Sequence, residues 1–378
     1  MNGVLMIPGV LSGVKVVEFG QNLAGPYCGQ ILAFMGAEVI KVEKPEGDDA
    51  RKWGPPFIAG EGVNFVGLNR GKKSITVDLN DAAQKQKLID LIGTADAFVH
   101  NLRAGVTEKF GIDGKTMTAK YPGLVYADLS AFGHTGPWKL RPGYEPLIQA
   151  EAGLVSVNGD PSGPASRIGV SIIDLSTGMW TAIGILGALL QKAHTGKGSI
   201  VSTSLFESGL MWVSTHVAAF STTGNVPPRQ STGHITLTPY QAFETSNGLL
   251  MVTPGNDRLW AKFAETLGKA EWVTDPRFLT NKERSAHRQM LLDMITEIMK
   301  RDTKENWARK LQAVGVPCGP INAIPEVMNL EHTKALGMYL QPYSELPSLL
   351  HALPVSFDGQ RAGFPAVVPK IGEHDGEI

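Results

Sequence analysis

Cysteine is scarce in this 378-residue sequence, which contains only Cys28 and Cys318, far apart in the chain. So low a content excludes a disulfide-stapled scaffold and a cysteine-based metal site. It suits the reducing cytoplasm, where we expect the protein to reside. The sequence also lacks an excess of positive charge, because its formal net charge is −1 at pH 7. This balance argues against nucleic acid as a main partner.

Long hydrophobic runs are missing as well. The longest apolar stretch, around residues 179–190, contains glycines and is too short to span a bilayer, so we expect no association with a membrane. The first residues, MNGVLMIPGVLSG, lack the basic region of a signal peptide. What is present is a 43% share of apolar residues, enough for the cores of two domains or of one large domain with a satellite.

The first 200 residues alternate between apolar runs of strand length and helical segments. Strands are predicted at 14–19, 38–43, 74–79, 97–102, 124–129 and 199–205, with helices from Pro26 and over 81–92 between them. Such repetition predicts a parallel sheet in an α/β domain. The turn after the first strand lacks the GxGxxG spacing of a dinucleotide site. A ligand is still expected at the carboxyl ends of the strands.

Basic residues follow the ends of several predicted strands: Lys44, Arg51, Lys52, Arg70, Lys72, Lys73, Arg103 and Lys109. Two interpretations remain open at this point. The residues form either a solvated basic rim or a pocket in which Arg and Lys side chains pair with phosphates.

The stretch 167–196, RIGVSIIDLSTGMWTAIGILGALLQKAHTG, is the centre of the chain. Its β-branched run at 168–173 predicts a short strand, and the residues after a small-residue turn predict an apolar helix to about Lys192. Asp174 would lie at the junction. One interpretation is a helix N-cap, which Asp favours. The other is a carboxylate nucleophile kept ionised by the helix N-terminus.

The second half of the chain differs in composition. Residues 221–239 read as a linker, and 240–253 as a hairpin around Ser246-Asn247-Gly248. Helices are predicted at 258–267, 284–300 and 304–314, the second of which places Leu291, Leu292, Ile295, Ile298 and Met299 on one face. We therefore predict a large domain, 1–220, completed by about 340–378. A small α+β domain at 240–325 and a return linker at 326–339 lie between.

Several segments, in order along nearly the whole chain, carry recognisable patterns: LSGVKVVEFGQNLAGPYCGQILAFMGAEVIKVEKPEGDDAR, NRGKKSITVDL, HNLRAGVTEKFGID, SAFGHTGPW, DLSTGMWTAIGILGALLQKAHTGKG, TPYQAF, DPRFLTNKERSAHR and GVPCGPIN. Together they resemble the class III CoA-transferase (CaiB/BaiF) family, which includes formyl-CoA transferase and 2-methylacyl-CoA racemase. The resemblance implies a Rossmann-like large domain and a small α+β domain. It also implies an interlocked homodimer, in which the partner's small domain closes over the acyl group.

The resemblance gives Asp174 the position of the family's catalytic aspartate. It implies transfer of CoA from an acyl-CoA to a carboxylic acid through anhydride and aspartyl-CoA intermediates, with no metal and no redox cofactor. The carboxylate acts as nucleophile, and helix amides with the small residues Ser176 and Gly178 would supply oxyanion donors. Coenzyme A, as substrate, is the small molecule that such a protein must bind.

Further positions are carried over by matched motifs. Asn22, Leu23 and Ala24 would line the pantetheine, and Lys44 and Lys109 would meet phosphates. The segments 77–80 and 101–103, with Val77, Leu79, Asn101, Leu102 and Arg103, would flank the adenosine. Tyr144 and Glu145 would lie near the reacting centre.

Two departures bear on the substrate. Formyl-CoA transferase has Gln where this chain has Leu23, and its loop of consecutive glycines in the second domain is absent here. Oxalate is therefore disfavoured as acceptor. STGHITLTPYQAF instead resembles the branch that uses succinyl-CoA and C4–C6 dicarboxylates. His234 lies in this segment without an assigned role.

Two alternatives remain open at the level of the sequence. The first is a racemase of the same fold, whose chemistry needs an acid and a base beside the α-carbon. The racemase branch has Gly-His-Asp where this chain has Gly143-Tyr144-Glu145, and tyrosine is a poor replacement for histidine near neutral pH. The second is a CoA-binding module without activity, against which the presence of Asp174 counts.

Overall fold

A computed structural model describes residues 9–341, 348–361 and 367–377. They cluster into two compact units. The first unit consists of the described parts of Met1–Leu154, Ile168–Thr215 and Glu331–Ile378, and the second of Val155–Arg167 and His216–Leu330. The predicted domain boundaries stay a prediction. The predicted absence of a signal peptide rests largely on residues 1–8, which lie outside the described residues.

The described strands form two main sheets and two short strand pairs. In chain order they are β1 Lys15–Phe19, β2 Glu38–Glu43, β3 Phe57–Ile58, β4 Glu61–Gly62, β5 Lys73–Thr76, β6 Ala97–His100, β7 Val125–Ser130, β8 Ile200–Ser204, β9 Gln241–Thr245, β10 Gly248–Val252, β11 Cys318–Pro320, β12 Tyr339–Leu340 and β13 Leu350–His351. The first unit contains a six-stranded sheet in the order β5-β2-β1-β6-β7-β8. Every neighbouring pair in it is parallel, which confirms the predicted sheet.

The described helices follow in the same order. They are α1 Ala24–Phe34, α2 Val63–Asn69, α3 Ala82–Gly93, α4 Val106–Phe110, α5 Gly114–Lys120, α6 Glu145–Glu151, α7 Leu154–Val157, α8 Ile172–Thr195, α9 Leu205–Trp212, α10 Ser214–Thr223, α11 Asp257–Thr266, α12 Asn281–Ala286, α13 Arg288–Met299, α14 Lys304–Ala313, α15 Ile324–Asn329 and α16 Glu331–Ala335. Two 3-10 turns, Asp49–Lys52 and Ala270–Val273, complete the set.

Alternate side chains of the central strands enter two different cores, as strand geometry requires. Val17 of β1 packs with Ile40 of β2 and with α3 on one face of the sheet. Val16 of β1 packs on the other face, in a cluster that includes Ala182 and Ile185 of α8. The sheet is thus covered on both sides, as is usual for parallel sheets.

Helix α8 is longer than the apolar stretch that the sequence predicts. It has 24 residues and ends at Gly196, whose φ of 71° makes the αL cap expected of a glycine there. Among the described residues, α8 alone is long and apolar enough to cross a membrane by length and composition, and 44% of that window is buried inside the protein. The prediction that this run is too short to span a bilayer is therefore wrong on length.

The predicted strand at 168–173 does not form. Residues 168–170 are irregular and α8 begins at Ile172. The Gln149 side chain forms hydrogen bonds with both backbone groups of Ile168. The Ile168 amide donates to Oε1 at 2.8 Å, and Nε2 donates to the Ile168 carbonyl at 3.1 Å. A side chain therefore satisfies the backbone that a neighbouring strand would otherwise pair.

Edge strand β5 is covered by residues that are far away in sequence. The Ser74 amide donates to Nδ1 of His374 at 3.2 Å, and the His374 amide donates to the Ser74 carbonyl at 2.9 Å. The Thr76 amide donates to Asp375 at 2.7 Å. These contacts occupy backbone groups that an exposed edge would leave unpaired.

The second unit contains an antiparallel sheet in the order β11-β10-β9. The predicted hairpin is confirmed, because β9 and β10 pair on either side of Ser246 and Asn247. The predicted apolar face of α13 is buried in a core with Trp260 and Phe263. The predicted helix at 284–300 is divided at His287 into α12 and α13.

Candidate active site

Asp174 lies inside the first turn of α8. Ser171 is the N-cap residue, so Asp174 is the third residue of the helix, and the N-cap interpretation of Asp174 is wrong. A carboxylate in this position is favoured by the free backbone amides at the start of the helix. The sequence pattern placed the helix start too late because it assigned 168–173 to a strand.

The pKa of Asp174 is raised from its ordinary value to about 7, first by burial and second by the charge of Glu145. Glu145 is the first residue of α6 and is buried. Its Oε1 accepts a hydrogen bond of 2.6 Å from Gln149 of the same helix. Gln149 also holds Ile168, so one glutamine connects Glu145 with the approach to α8.

The turn at residues 20–26 lies against the start of α8. A Cβ atom on residue 178 would lie 2.7 Å from the carbonyl oxygen of Ala24, so only glycine permits this approach of α1 and α8. Gly178 is one helical turn after Asp174. The structure therefore brings Asn22, Leu23 and Ala24 to the part of the unit that contains Asp174.

Ser176 and Gly178 do not supply oxyanion donors. Both lie in the second turn of α8, where backbone amides are used by the helix itself. The Ser176 hydroxyl donates to the Ile173 carbonyl and accepts a bond of 3.0 Å from the Trp212 indole. Any backbone donors that α8 supplies must therefore come from its first turn, which is a correction to the prediction.

The residues expected near the adenosine form one group at the ends of β5 and β6. Val77, Leu79 and Leu102 pack in the same apolar cluster, and Arg103 is exposed. The Asn101 side chain is used within the protein: its Oδ1 accepts from the Gln21 amide and its Nδ2 donates to the Gln21 carbonyl, both at 2.8 Å. Asn101 thus ties the loop after β6 to the turn at 20–26.

Three other predicted residues lie at the surface. Lys109 of α4 is exposed, and Lys44 forms an ion pair of 2.7 Å with Asp49. Tyr144, the N-cap residue of α6, is 64% exposed, whereas its neighbour Glu145 is buried. The two adjacent residues therefore face different environments.

Both interpretations of the basic residues are wrong for Arg51, Arg70 and Lys72, because all three are buried. Arg51 pairs with Glu43 at 2.6 Å, and Lys72 pairs with Glu18 at 2.6 Å. Arg70 donates to the carbonyl of His351 at 2.6 Å. The sequence does not distinguish a charged side chain that faces water from one that pairs with a buried partner. The position of a basic residue after a strand was therefore not sufficient to predict its exposure.

The sequence prediction missed Glu18, Lys41 and Asp48, which are at most 1% exposed. Lys41 contacts both carboxylates, Glu18 at 3.2 Å and Asp48 at 3.0 Å. A signal existed, because Glu18 and Lys41 each interrupt an apolar run of a predicted buried strand, where charges are rare unless paired.

The chain matches the model of CoA-transferase family III over residues 11–375. It belongs to that family. The succinate–glutarate CoA-transferase of Agrobacterium fabrum is 31% identical over 377 residues, covering 97% of this chain and 94% of the relative. The acetyl-CoA:oxalate CoA-transferase of Acetobacter aceti is 32% identical over 335 residues, covering 88% of this chain and 86% of the relative.

A solved structure supports the same assignment. The CaiB/BaiF family protein from Brucella suis is 35% identical, with a TM-score of 0.84 over 98% of each chain. This family III CoA-transferase is therefore an enzyme of the CoA-transferase type, with the α/β fold and parallel sheet of the family. The racemase alternative is not favoured, since the relatives above carry transferase names. No group of three or more His, Cys, Asp or Glu side chains suited to a metal occurs in the described part of the chain.

Proposed function

We propose that this enzyme transfers CoA from succinyl-CoA to a dicarboxylic acid, with Asp174 as the nucleophile. The observation that carries the proposal is the partly buried Asp174 carboxyl in the first turn of α8, whose pKa of about 7 leaves both protonation states populated near neutral pH. Groups with such shifts occur mostly at functional sites. The relatives named for glutarate and for oxalate both act on dicarboxylates.

The reaction begins when ionised Asp174 attacks the thioester carbonyl of the acyl-CoA. The C–S bond breaks, CoA thiolate leaves with the electron pair, and an acyl–aspartyl anhydride forms. The thiolate then attacks the aspartyl carbonyl, which releases the donor as its carboxylate and leaves an aspartyl-CoA thioester. The acceptor carboxylate attacks this thioester, and the freed thiolate attacks the acyl carbonyl of the new anhydride. Asp174 returns as a carboxylate with the product acyl-CoA.

Two features of the first unit support this chemistry. The start of α8 favours the ionised nucleophile and the oxyanions that follow it. Partial burial raises the pKa of Asp174 and also limits the access of water to the carboxyl, which helps to protect the anhydride and the thioester from hydrolysis.

We assign CoA binding by the matched positions. Asn22, Leu23 and Ala24 would contact the pantetheine close to Asp174. Lys44 and Lys109 would meet phosphates, since both keep at least partly exposed side chains. The adenosine would lie over the apolar cluster of Val77, Leu79 and Leu102, next to the exposed Arg103.

The test is covalent trapping together with substitution of the nucleophile. Asp174→Asn should abolish succinyl-CoA-dependent transfer to a panel of dicarboxylates while CoA still binds. Hydroxylamine added during turnover should modify the peptide that contains Asp174. If the variant kept more than about a tenth of the rate, a loss of only ~1.4 kcal/mol of transition-state stabilisation, or if the modified peptide lay elsewhere, the covalent role would be wrong.

We also propose a cytoplasmic homodimer, in which the two chains interlock. Its support in the first unit is an exposed apolar face on α8, where Met179, Trp180, Ile183 and Leu190 are 41–63% exposed. Apolar side chains that are exposed together on one face of a soluble protein often mark an interaction surface. Low cysteine content favours the cytoplasm.

A further inference from the structure

Charged side chains occupy one face of β1 and β2 inside the first unit. Glu18 of β1 and Lys41 of β2 are opposite each other in the parallel register, and neither is exposed. Lys72, which precedes β5, adds a second ammonium group 2.6 Å from Glu18. Asp48, after β2, adds a second carboxylate 3.0 Å from Lys41. We call Glu18, Lys41, Asp48 and Lys72 the buried charge network.

The network occupies positions that the strand pattern would give to apolar residues. Val16 and Val39 lie on the same face, one alternation earlier along β1 and β2, and both pack in the apolar core. Burying an ion pair is costly, and replacing it by apolar residues of similar size is often neutral or stabilising. Stability alone therefore does not account for four charges at these places.

Three members of the network form hydrogen bonds with the backbone of one segment, the turn at residues 20–26. Lys41 Nζ donates to the Gly20 carbonyl at 2.7 Å, and Lys72 Nζ donates to the Pro26 carbonyl at 2.7 Å. The Asp48 carboxylate accepts from the Asn22 amide at 3.1 Å. Glu18 does not touch the turn but joins the two lysines, at 3.2 Å from Lys41 and 2.6 Å from Lys72. Both ends and the middle of the turn are therefore fixed by buried charges.

The turn contains a residue in an uncommon backbone conformation, which these contacts hold in place. Asn22 has a φ of 65°, which is uncommon for a residue other than glycine. Leu23, the N-cap residue of α1, makes no side-chain cap bond, so the start of α1 is not fixed by its own sequence. The same segment carries the Ala24 carbonyl that lies against Gly178 of α8.

Charge states within the network agree with this role. Burial alone would lower the pKa of Lys41, but Glu18 and Asp48 outweigh it and the pKa is raised. Burial lowers the pKa of Lys72 to about 8, against the attraction of Glu18. At neutral pH both lysines are therefore ammonium groups, which donate strong hydrogen bonds to carbonyl oxygens.

We propose that Glu18, Lys41, Asp48 and Lys72 are positioning residues of the CoA-transfer reaction, which hold the turn at 20–26 against α8 so that Asn22, Leu23 and Ala24 stand beside Asp174. The proposal rests on the function proposed above. None of the four residues touches the reacting atoms. They act through the backbone of the turn, and misplacement of such a segment by about 1 Å can cost about a hundredfold in rate.

Two substitutions test the anchors at opposite ends of the turn. Lys72→Met removes the ammonium group that holds Pro26, and Asp48→Ala removes the acceptor of the Asn22 amide. Asp48→Asn is the matched variant, because an amide oxygen can still accept that bond. We expect Lys72→Met and Asp48→Ala to lower kcat at least tenfold with a smaller change in KM for succinyl-CoA. Asp48→Asn should recover most of the loss relative to Asp48→Ala.

A core variant separates positioning from general destabilisation. Leu88→Ala lies in α3 on the opposite face of the sheet and should lower Tm without changing kcat. If the network variants, like Leu88→Ala, lowered Tm without lowering kcat, or if Asp48→Asn were no better than Asp48→Ala, the positioning role would be wrong.

Hydrogen exchange tests the anchors without reference to the reaction. The amides of 20–27 should exchange faster in Lys72→Met and Asp48→Ala than in Leu88→Ala. Faster exchange with an unchanged kcat would leave the network purely structural and overturn the proposal. Full activity in Asp174→Asn would instead refute the proposed function, whatever the network variants do.

Discussion

At the scale of single residues, the Asp174 carboxyl is subject to opposing influences. The helix start favours its ionised form, whereas burial and Glu145 favour the protonated form and raise its pKa to about 7. An aspartate must be ionised to attack a thioester. With Asp174 as the proposed nucleophile, the active form of the enzyme should increase as the pH rises through about 7.

Glu145→Gln removes the second cause of that raised pKa. We expect kcat/KM for succinyl-CoA in the wild-type enzyme to rise with pH around a midpoint near 7, and the midpoint of the variant to lie at lower pH. The measurement is a pH–rate profile between pH 5 and 9 of both proteins. An unshifted midpoint would contradict Glu145 as a cause of the raised pKa of Asp174.

Some residue roles could be predicted from sequence and others could not. Asp174 could be named as the candidate nucleophile because its surrounding motif is specific, although its position in the helix was misjudged. The effect of Glu145 on Asp174 depends on two residues 29 positions apart in the chain. The pairing of Lys72 with Glu18 depends on strand order, which no local pattern contains.

At the scale of secondary structure, the close approach of α1 and α8 controls the candidate site. It depends on the missing side chain of Gly178, since any Cβ there would lie against the Ala24 backbone. The backbone cannot move aside as a flexible side chain would. A larger residue must therefore push the two helices apart at the turn that carries Asn22–Ala24.

Gly178→Ala should both destabilise the protein and lower its activity. Although alanine is the better helix former by about 1 kcal/mol, the contact should cost about 1–3 kcal/mol and also lower kcat. Gly67→Ala in α2 is the control, because a Cβ there meets nothing within 4 Å. Thermal unfolding and kcat of the two variants decide the matter: equal behaviour of both would refute the close-approach explanation.

The elements themselves were largely predictable in the first unit. Apolar runs bounded by turn residues identified the strands of the sheet, since buried parallel strands give a strong pattern. The run at 168–173 carried the same pattern but is held by Gln149, a long-range partner that periodicity does not reveal. The third strand of the second sheet, Cys318–Pro320, is too short for any pattern.

At the scale of the whole molecule, the exposed apolar face of α8 is the feature that favours association with a second chain. Ile183 and Leu190 are 55% and 63% exposed on a helix whose other face is in the core. Each such side chain contributes about 1.5–3 kcal/mol when it is buried. The homodimer proposed above would bury them.

Ile183→Glu should weaken the dimer, since a carboxylate would then be buried at the interface. Light scattering of the wild-type protein should give twice the chain mass. The variant should be refolded from denaturant before the measurement, because interlocked chains do not separate on dilution, and its mass should then fall towards that of one chain. Lys87→Glu, on the exposed side of α3, adds a carboxylate elsewhere and should leave the mass unchanged. A monomeric wild-type protein would refute the dimer outright.

The contacts of residues 374 and 375 with the edge of β5 have a consequence for the synthesis of the protein. His374 follows Ser74 by 300 residues, so the ribosome delivers the sheet edge long before it delivers the residues that close it. At about 5–20 residues per second, this interval lasts about 15–60 s. Once β8 has been made, the growing chain carries an open edge strand on an otherwise complete sheet until His374 is delivered, within reach of other nascent chains on the same messenger. The yield of folded protein in a cell should therefore depend on translation speed and chaperone supply, and not only on the stability of the finished fold.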